Sequence, residues 1–293
     1  MVDFAKLDGP GQVAQCARCH SRRRQVSVND QHGRALFDDF VPENLREPLY
    51  HADDQILDEV YVYGSYVQSK MYRAGVRCTD CHQPHTLKLR AEGNALCTQC
   101  HQSQPDKRFP ALTAKTYDSP DHHFHPTGSI GAQCVNCHMP TQTYMRIDPR
   151  RDHSFRVPRP DLSVTLDIPD ICTSCHLGKS PSWAADTIHQ WYGTPPALHF
   201  AETLAAGRAR QPGALANLAQ LAANTPQPAF ARATALELLR QYGPAGLQPI
   251  IAALNDSDAM VRIAAVGGLD GVPVQSRPCA TRFAPCAAKR HGF

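Results

Sequence analysis

The sequence lacks any run of about 18 apolar residues, so no segment of it is able to cross a membrane as a helix. Residues Met1 to Gln15 lack a cationic start, an apolar core and a small-residue cleavage site, which excludes a secretory signal peptide. Methionine is scarce, at five residues in 293, whereas cysteine occurs twelve times. The cysteines therefore hold most of the information about this chain.

Ten of the twelve cysteines lie in five Cys-x-x-Cys-His pentapeptides. We number them motif 1 to motif 5: Cys16/Cys19/His20, Cys78/Cys81/His82, Cys97/Cys100/His101, Cys134/Cys137/His138 and Cys172/Cys175/His176. In this pentapeptide the two thiols add to the vinyl groups of a haem, and the adjacent imidazole becomes the proximal iron ligand. The sequence therefore predicts five c-type haems, one at each motif.

Zinc is the main competing cofactor, because the cysteines of motifs 2 and 3 also fit the Cys-x2-Cys-x15-Cys-x2-Cys spacing of a four-cysteine zinc site. Such a site has no use for a histidine directly after the second cysteine, yet all five pairs have one. A disulfide framework or thioredoxin-like redox pairs would also use paired cysteines. The repeated histidine favours haem over all three.

The composition changes near residue 180 and predicts three regions. These are a pentahaem cytochrome c domain over residues 1–180, an α-helical HEAT-like repeat region over 181–271 and an irregular tail over 272–293. The first region is rich in His, Cys, Pro and Arg, so we expect haem macrocycles and thioether bonds to replace much of its side-chain core. The predicted fold class is mainly α with much irregular structure.

Several helices are predicted. Residues 181–192 form one that starts at a proline and ends at Gly193, residues 55–71 form another, and a single helical turn precedes each motif. Residues 229–239 realign 30 residues later with 259–269, with Arg232 on Arg262, which resembles a HEAT-type repeat. A plain helical bundle is the alternative. In the tail, Cys279 and Cys286 lack a following histidine, so we expect a disulfide or disorder there and no haem.

Ten histidines lie outside the five motifs and compete for the distal faces of the irons. His85 follows motif 2 by three residues on a proline turn, so it would reach a neighbouring haem. Prolines on both sides of residues 122–125 favour an extended chain that presents its histidines to two haems. The predicted distal ligands are His51, His85, His122, His125 and His153, with His123 as the replacement within its cluster. Met71, Met139 and Met145 are further candidates, while His189, His199 and His291 are predicted not to be ligands and His32 is undecided.

Arginine is concentrated around motif 4, at residues 146, 150, 151, 156 and 159. Either haem propionates or solvent would be the partners of these guanidinium groups. Ten propionates contribute about −10 and five ferric haem cores about +5, so the formal charge of +3 becomes about −2 in the oxidised protein. A net charge of about −2 does not favour binding to nucleic acid. The side chains of Arg22, Arg23 and Arg24 are expected to be solvated.

Four segments carry a family resemblance: residues 49–65, Cys-Thr-Asp-Cys-His-Gln-Pro-His at 78–85, His-His-Phe-His at 122–125, and Cys-Val-Asn-Cys-His-Met-Pro at 134–140 with the Asp-His-Ser-Phe that follows it. They resemble the multihaem c-type cytochromes that carry C-terminal tetratricopeptide or HEAT-like helical repeats. Members of that family usually have further motifs upstream, so the resemblance implies that this chain is a C-terminal part. The last segment is also similar to cytochrome c nitrite reductases, but their active-haem Cys-x-x-Cys-Lys does not occur here.

The favoured function is electron transfer through mostly bis-histidine haems, with redox proteins, other cytochromes or further copies of the chain as partners. An electron carrier is favoured over an enzyme. The alternative is an oxidoreductase that reduces a small nitrogen or sulfur oxyanion, or a peroxide, at one open iron. Covalent haem attachment takes place outside the bacterial cytoplasm, so a periplasmic or extracellular location is expected, with the export signal outside this sequence.

Overall fold

The chain divides into two units, Met1–Glu202 and Thr203–Phe293, in a computed structural model that describes residues 3–28, 33–84, 86, 88–194 and 199–270. Most regular structure is helical, and much of the first unit is irregular. The expected fold class, mainly α with irregular regions, is confirmed. No helix in the described ranges has the length and apolar character needed to cross a membrane.

The first unit combines short helices with two-stranded antiparallel sheets, in which β1 pairs with β2, β3 with β4 and β5 with β6. Its helices are α1 Gly9–His20, α2 Leu36–Asp39, α3 Tyr63–Tyr66, α4 Lys70–Arg73, α5 Cys78–Cys81, α6 Ala95–Thr98, α7 Pro120–His123, α8 Cys134–His138, α9 Pro160–Leu166, α10 Ile171–Cys175 and α11 Pro181–Tyr192. Its strands are β1 Arg23–Gln25, β2 Phe40–Pro42, β3 His82–Gln83, β4 Lys88–Leu89, β5 Thr141–Tyr144 and β6 Asp148–Arg151. The 3-10 turns Phe4–Lys6 and Ile130–Ala132 complete the unit.

A short helix presents the thiols of most motifs. The predicted single turns are confirmed for motifs 2 to 5, which lie on or beside α5, α6, α8 and α10. Motif 1 differs, because it ends the 12-residue helix α1. Asp8 caps that helix by accepting a hydrogen bond from the Gly11 N–H at 2.7 Å, and Pro10 occupies its first turn. These start signals lengthen the helix beyond one turn.

The prediction of one helix over residues 55–71 is wrong. This stretch contains only the four-residue helix α3 and the start of α4, and residues before them form bridges and turns. Tyr61 has a left-handed backbone, with φ 61°, which an α-helix does not allow. Ser69 begins α4 as an N-cap in extended conformation, so the two short helices do not join.

Helix α11 has the bounds that the sequence predicts. Ser180 caps its start by accepting a hydrogen bond from the Trp183 N–H at 3.2 Å, and Gly193, with φ 79°, ends it. The helix packs against α9, and Ala184 is fully buried. Because of this packing α11 belongs to the first unit, and the structural division falls at residue 202 instead of at the composition change near residue 180.

Helix α12 Phe200–Arg208 contains the boundary, and the second unit continues with α13 Ala214–Ala223, α14 Ala229–Leu239, α15 Pro244–Ala252 and α16 Ala259–Gly268. The 3-10 turns Arg240–Tyr242 and Ala253–Asn255 follow α14 and α15. Both copies of the sequence repeat are thus helical, and α14 packs against α16. A HEAT-type repeat stays a prediction. The tail with Cys279 and Cys286 lies outside the described residues, as do His32, His85 and His291.

Candidate haem centres

Consecutive motifs lie next to one another in the first unit. The thiols of Cys16 and Cys78 hydrogen bond, which lowers the pKa of Cys16 to about 7 and raises that of Cys78. Cys97 and Cys134 form a second thiol pair with the same effect, since the pKa of Cys97 is raised and that of Cys134 lowered. These contacts join motif 1 to motif 2 and motif 3 to motif 4.

Cys19 is placed differently from its motif partner Cys16. The sequence assigns both thiols to one haem that forms part of the core, but Cys19 is exposed whereas Cys16 is half-buried against Cys78. Ala17 and Arg18 occupy the buried face at the end of α1, so the next residue on the helix turns outward. The assignment of both thiols of motif 1 to one haem stays a prediction, and of the two thiols Cys19 is the more accessible to solvent. Cys175 of motif 5 is exposed in the same way, while the eight remaining motif cysteines are half-buried.

The thiol pairs also bear on the choice between haem and zinc. A four-cysteine zinc site would need the cysteines of motifs 2 and 3 to converge, yet Cys78 pairs with Cys16 and Cys97 pairs with Cys134. Within the described ranges, no three His, Cys, Asp or Glu side chains come together as a metal-binding group. In the described residues, the four cysteines of motifs 2 and 3 therefore do not form a single cluster.

Two amide side chains connect the paired motifs. Gln12, on α1, accepts hydrogen bonds through Oε1 from the Thr79 N–H at 3.2 Å and the Thr79 hydroxyl at 2.8 Å. Asn94 accepts from the Cys134 N–H at 2.9 Å and donates to the Ala132 carbonyl at 2.9 Å. Each amide precedes the first cysteine of one motif and binds the backbone at the first turn of the next. No sequence pattern marks either residue.

Three motif histidines face a second imidazole. His82 and His153 have ring centroids 6.2 Å apart, His138 and His122 are 6.1 Å apart, and His176 and His125 are 5.9 Å apart. The rings of the His138 pair are nearly parallel, with 5° between their planes.

These separations test whether a haem fits. Two imidazoles on opposite faces of one iron have centroids about 6 Å apart, because each metal–nitrogen bond is about 2 Å and each ring adds about 1 Å to its centroid. All three pairs meet that distance. The side chains at motifs 2, 4 and 5 therefore fit a bis-histidine haem.

Backbone carbonyls orient three of these six rings. The Nδ1 of His138 hydrogen bonds to the Arg156 carbonyl at 2.8 Å, and that of His153 to the Arg151 carbonyl at 2.9 Å. His125 bonds in the same way to the His123 carbonyl. When Nδ1 donates its proton to a carbonyl, Nε2 is left as the basic nitrogen that binds a metal.

Several imidazoles are held neutral, which is the form that binds iron. Burial, followed by the charge of Lys115, lowers the pKa of His122 to about 4. Burial also lowers the pKa of His82, His101 and His153. Ligation therefore requires no deprotonation of these groups at neutral pH.

The cluster at residues 122–125 reaches two motifs, but its backbone is not the extended chain that the prolines predict. Residues Pro120–His123 form α7, and Phe124 has a left-handed backbone with φ 54°. Pro120 occupies the first helical position, where it favours a helix. The turn at Phe124 then sends His122 towards His138 and His125 towards His176.

His123, the replacement ligand in the sequence analysis, contacts its neighbour His125. Its Nδ1 accepts the His125 N–H at 3.2 Å, and its Nε2 lies 4.0 Å from the Asp118 carboxylate. Its side chain is 9% exposed. His123 is therefore placed to hold the backbone of His125.

The remaining predicted ligands are placed differently. His51 makes backbone hydrogen bonds with Gln55 and Asp54, and His85 lies outside the described residues.

His101 of motif 3 packs edge-on against Tyr117 at 5.5 Å. His199, predicted not to be a ligand, accepts the Ala201 N–H through Nδ1 at 3.2 Å, and burial lowers its pKa to about 4.

Comparison with known proteins agrees with the motif analysis. The family described as "Doubled CXXCH motif" matches residues 71–106, which hold motifs 2 and 3. The doubled motif supports a multihaem c-type cytochrome. The chain is also similar to the solved structure of the outer cell wall cytochrome OcwA, with a TM-score of 0.44 and 18% identity over 87% of this chain and 64% of that chain. This chain thus spans less than two thirds of that cytochrome. No curated protein matches it.

Four of the five arginines around motif 4 contact the protein itself. Arg156 is half-buried and bonds to Asp53, Asp54 and Asp152 at distances from 2.6 to 3.2 Å. Arg150 binds Glu59 and Asp148. Arg151 donates to the backbone carbonyls of Val135 in motif 4 and of Met139 after it, and Arg159 pairs with Asp161. These four guanidinium groups therefore have protein partners, whereas the sequence suggested only propionate or solvent.

Proposed function

We propose that this chain transfers electrons through five covalently bound c-type haems, most of them with two axial histidines. The observation that carries the proposal is the 5.9–6.2 Å separation of three imidazole pairs, each of which includes one motif histidine. His153, His122 and His125 are the distal ligands at motifs 2, 4 and 5 in this proposal. His51 and His85, the other two distal ligands predicted from the sequence, complete the proposed set.

When bound, a c-type haem supplies a reversible one-electron iron couple. The chain's own residues attach, orient and space the five sites. Each cysteine pair would hold a haem through two thioethers, and the motif histidine with its partner histidine would bind the iron, which would disfavour binding of exogenous ligands. The carbonyls of Arg151 and Arg156 hold two imidazoles in one orientation, so little rearrangement accompanies a change of charge at iron.

The contacts between motifs support transfer along the chain. Thiol pairs join motif 1 to motif 2 and motif 3 to motif 4. Gln99 of motif 3 donates a hydrogen bond to the Asp80 carbonyl of motif 2 at 3.3 Å, and helix α8 of motif 4 packs against helix α10 of motif 5. Each motif therefore lies beside the next one in sequence. We propose that electrons follow this order, from motif 1 to motif 5 or in reverse.

We place the protein in the periplasm or outside the cell, because c-type haem attachment occurs beyond the bacterial cytoplasm. Its proposed partners are redox proteins or other cytochromes, and the helices of the second unit supply contacts for them or for another copy. This unit has no Cys-x-x-Cys-His motif, so it has no proposed redox role.

Ferric absorption and EPR spectra of the haem-loaded chain test the proposal. The variants His153→Ala, His122→Ala and His125→Ala should each convert one low-spin haem into a high-spin haem that binds carbon monoxide. His199→Ala is the matched control, since it removes a buried histidine that is not paired with a motif, and its spectrum should equal that of the parent. Unchanged spectra in all three variants would refute the ligand assignment. A stoichiometric high-spin haem in the parent would support the oxidoreductase alternative.

A further inference from the structure

Helix α11 carries both tryptophans of the chain, Trp183 and Trp191, eight residues apart. Eight residues of α-helix span about 12 Å along the axis. Trp183 contacts His176 with centroids 5.1 Å apart, and Trp191 contacts the partner imidazole, His125, at 6.4 Å. The two indoles therefore lie beside the two proposed axial ligands of motif 5.

Trp191 also supports the backbone that carries the distal ligand. Its indole stacks on Phe124 at 4.3 Å with an angle of 5° between the planes. Phe124 has φ 54°, a left-handed conformation that a residue with a side chain holds only when surrounding contacts compensate. Stacking on α11 is such a contact, and it holds the turn that separates His122 from His125.

The last residue of α11 makes a second connection to the same loop. The Tyr192 hydroxyl donates a hydrogen bond to the His122 carbonyl, and its ring meets Phe124 edge-on at 5.7 Å. The loop of residues 122–125 is thus held by both its side chains and its backbone. Helix α11 is itself anchored by the Ser180 cap and by its packing against α9.

We propose that α11 is a positioning helix that fixes the spacing and ring orientation of His176 and His125, and thereby sets the spin state and reduction potential at motif 5. The proposal rests on the proposed function, because it takes both imidazoles as axial ligands. The contacts that carry it are separate from that assignment, since they involve Trp183, Trp191 and Phe124.

EPR and potentiometric titration of the full, haem-loaded chain test this role. Trp191→Leu removes the stack on Phe124, so about one fifth of the ferric low-spin intensity should shift in g value or become high-spin. One of the five potentials should shift with it. Trp191→Phe keeps an aromatic ring against Phe124 and should restore the parent spectrum. Gln190→Ala changes an exposed neighbour on the same helix and should have no effect.

A second variant keeps the test decisive if Trp191→Leu does not fold. Phe124→Gly removes the stacking partner while favouring the same left-handed backbone, so it separates loss of the ring from backbone strain. Parent spectra and potentials in Phe124→Gly, or in a folded Trp191→Leu, would overturn the positioning role. His125→Ala distinguishes this failure from that of the proposed function: a high-spin haem in that variant alone means that His125 is a ligand but α11 does not position it.

Discussion

Asn94 accepts a hydrogen bond from the backbone N–H of Cys134 at 2.9 Å. The same side chain donates to the Ala132 carbonyl at 2.9 Å, and it precedes the helix of motif 3 by one residue. Gln12 makes the equivalent contact from motif 1 to the backbone of Thr79 in motif 2. Neutral amides thus connect two pairs of neighbouring motifs without adding charge beside the proposed haems.

Asn94→Ala should lower the free energy of unfolding by about 1–3 kcal/mol, because the Cys134 N–H loses its partner in a partly buried site. Guanidinium unfolding of the haem-loaded chain, followed by Soret absorption, measures the change. Asn217→Ala is the control, since it removes an exposed amide from α13 and should leave the stability within about 0.5 kcal/mol of the parent. Equal stabilities for the two variants would show that Asn94 does not hold motif 4.

Gly131→Ala should disturb the haem at motif 5. A Cβ at this position would overlap the His125 ring, lying 2.8 Å from Nε2. We expect one haem to become high-spin and to bind carbon monoxide, as measured by absorption and EPR. Gly267→Ala, where a Cβ meets nothing within 4 Å, is the control. If both variants keep the parent spectrum, then His125 either moves without loss of ligation or is not a ligand.

The sequence was sufficient for features that depend on local chemistry. The bounds of α11 follow from its serine cap, its initial proline and Gly193, and the short helices of motifs 2 to 5 were also expected. The predicted helix over residues 55–71 failed because left-handed Tyr61 and the Ser69 cap interrupt it. These interruptions depend on long-range packing, which helical spacing in the sequence does not reveal.

Contacts between distant residues were also beyond the sequence. Nothing in the order of residues indicates that Trp191 reaches His125, that Cys19 faces solvent while Cys16 contacts Cys78, or that His123 bonds to His125. The prolines at 120 and 126 predicted an extended chain for the residues between them, whereas Pro120 begins a helical turn. Proline limits its own φ and its preceding residue, so it does not decide the conformation of the histidines between the two prolines.

Haem stoichiometry is a direct prediction of the motifs. The haem-loaded chain should carry five haems, each joined by two thioethers, because every motif has both cysteines and its histidine. Intact mass and the pyridine haemochrome assay should each report five. A count of four or fewer, or stoichiometric zinc by elemental analysis, would contradict the proposal. The variant Cys279→Ser should retain all five, since Cys279 has no motif histidine.

Arg232→Met should destabilise the second unit, whereas the same change at its repeat counterpart Arg262 should be tolerated. Arg232 is 4% exposed and bonds to the Asp256 carboxylate and the Ala222 carbonyl. Arg262 is exposed and donates to the carbonyls of Asp256 and Ser257 in the loop before α16. Removing Arg232 leaves the Asp256 charge without this partner and should cost about 3 kcal/mol. Arg262→Met should cost about 0.5 kcal/mol.

Hydrogen exchange of peptides from α14 and α16 measures this difference inside the full chain. A cost of about 3 kcal/mol corresponds to roughly 100-fold faster exchange in Arg232→Met. The pair should also respond to pH. Burial raises the pKa of Asp256, but the Arg232 hydrogen bonds and charge, with the Asp258 N–H and the Arg262 charge, together hold that pKa below its usual range. The stabilisation is therefore present above the unfolded pKa of an aspartate and lost as the pH falls through the folded value. Equal exchange in the two arginine variants would show that the buried ion pair does not stabilise α14 and α16.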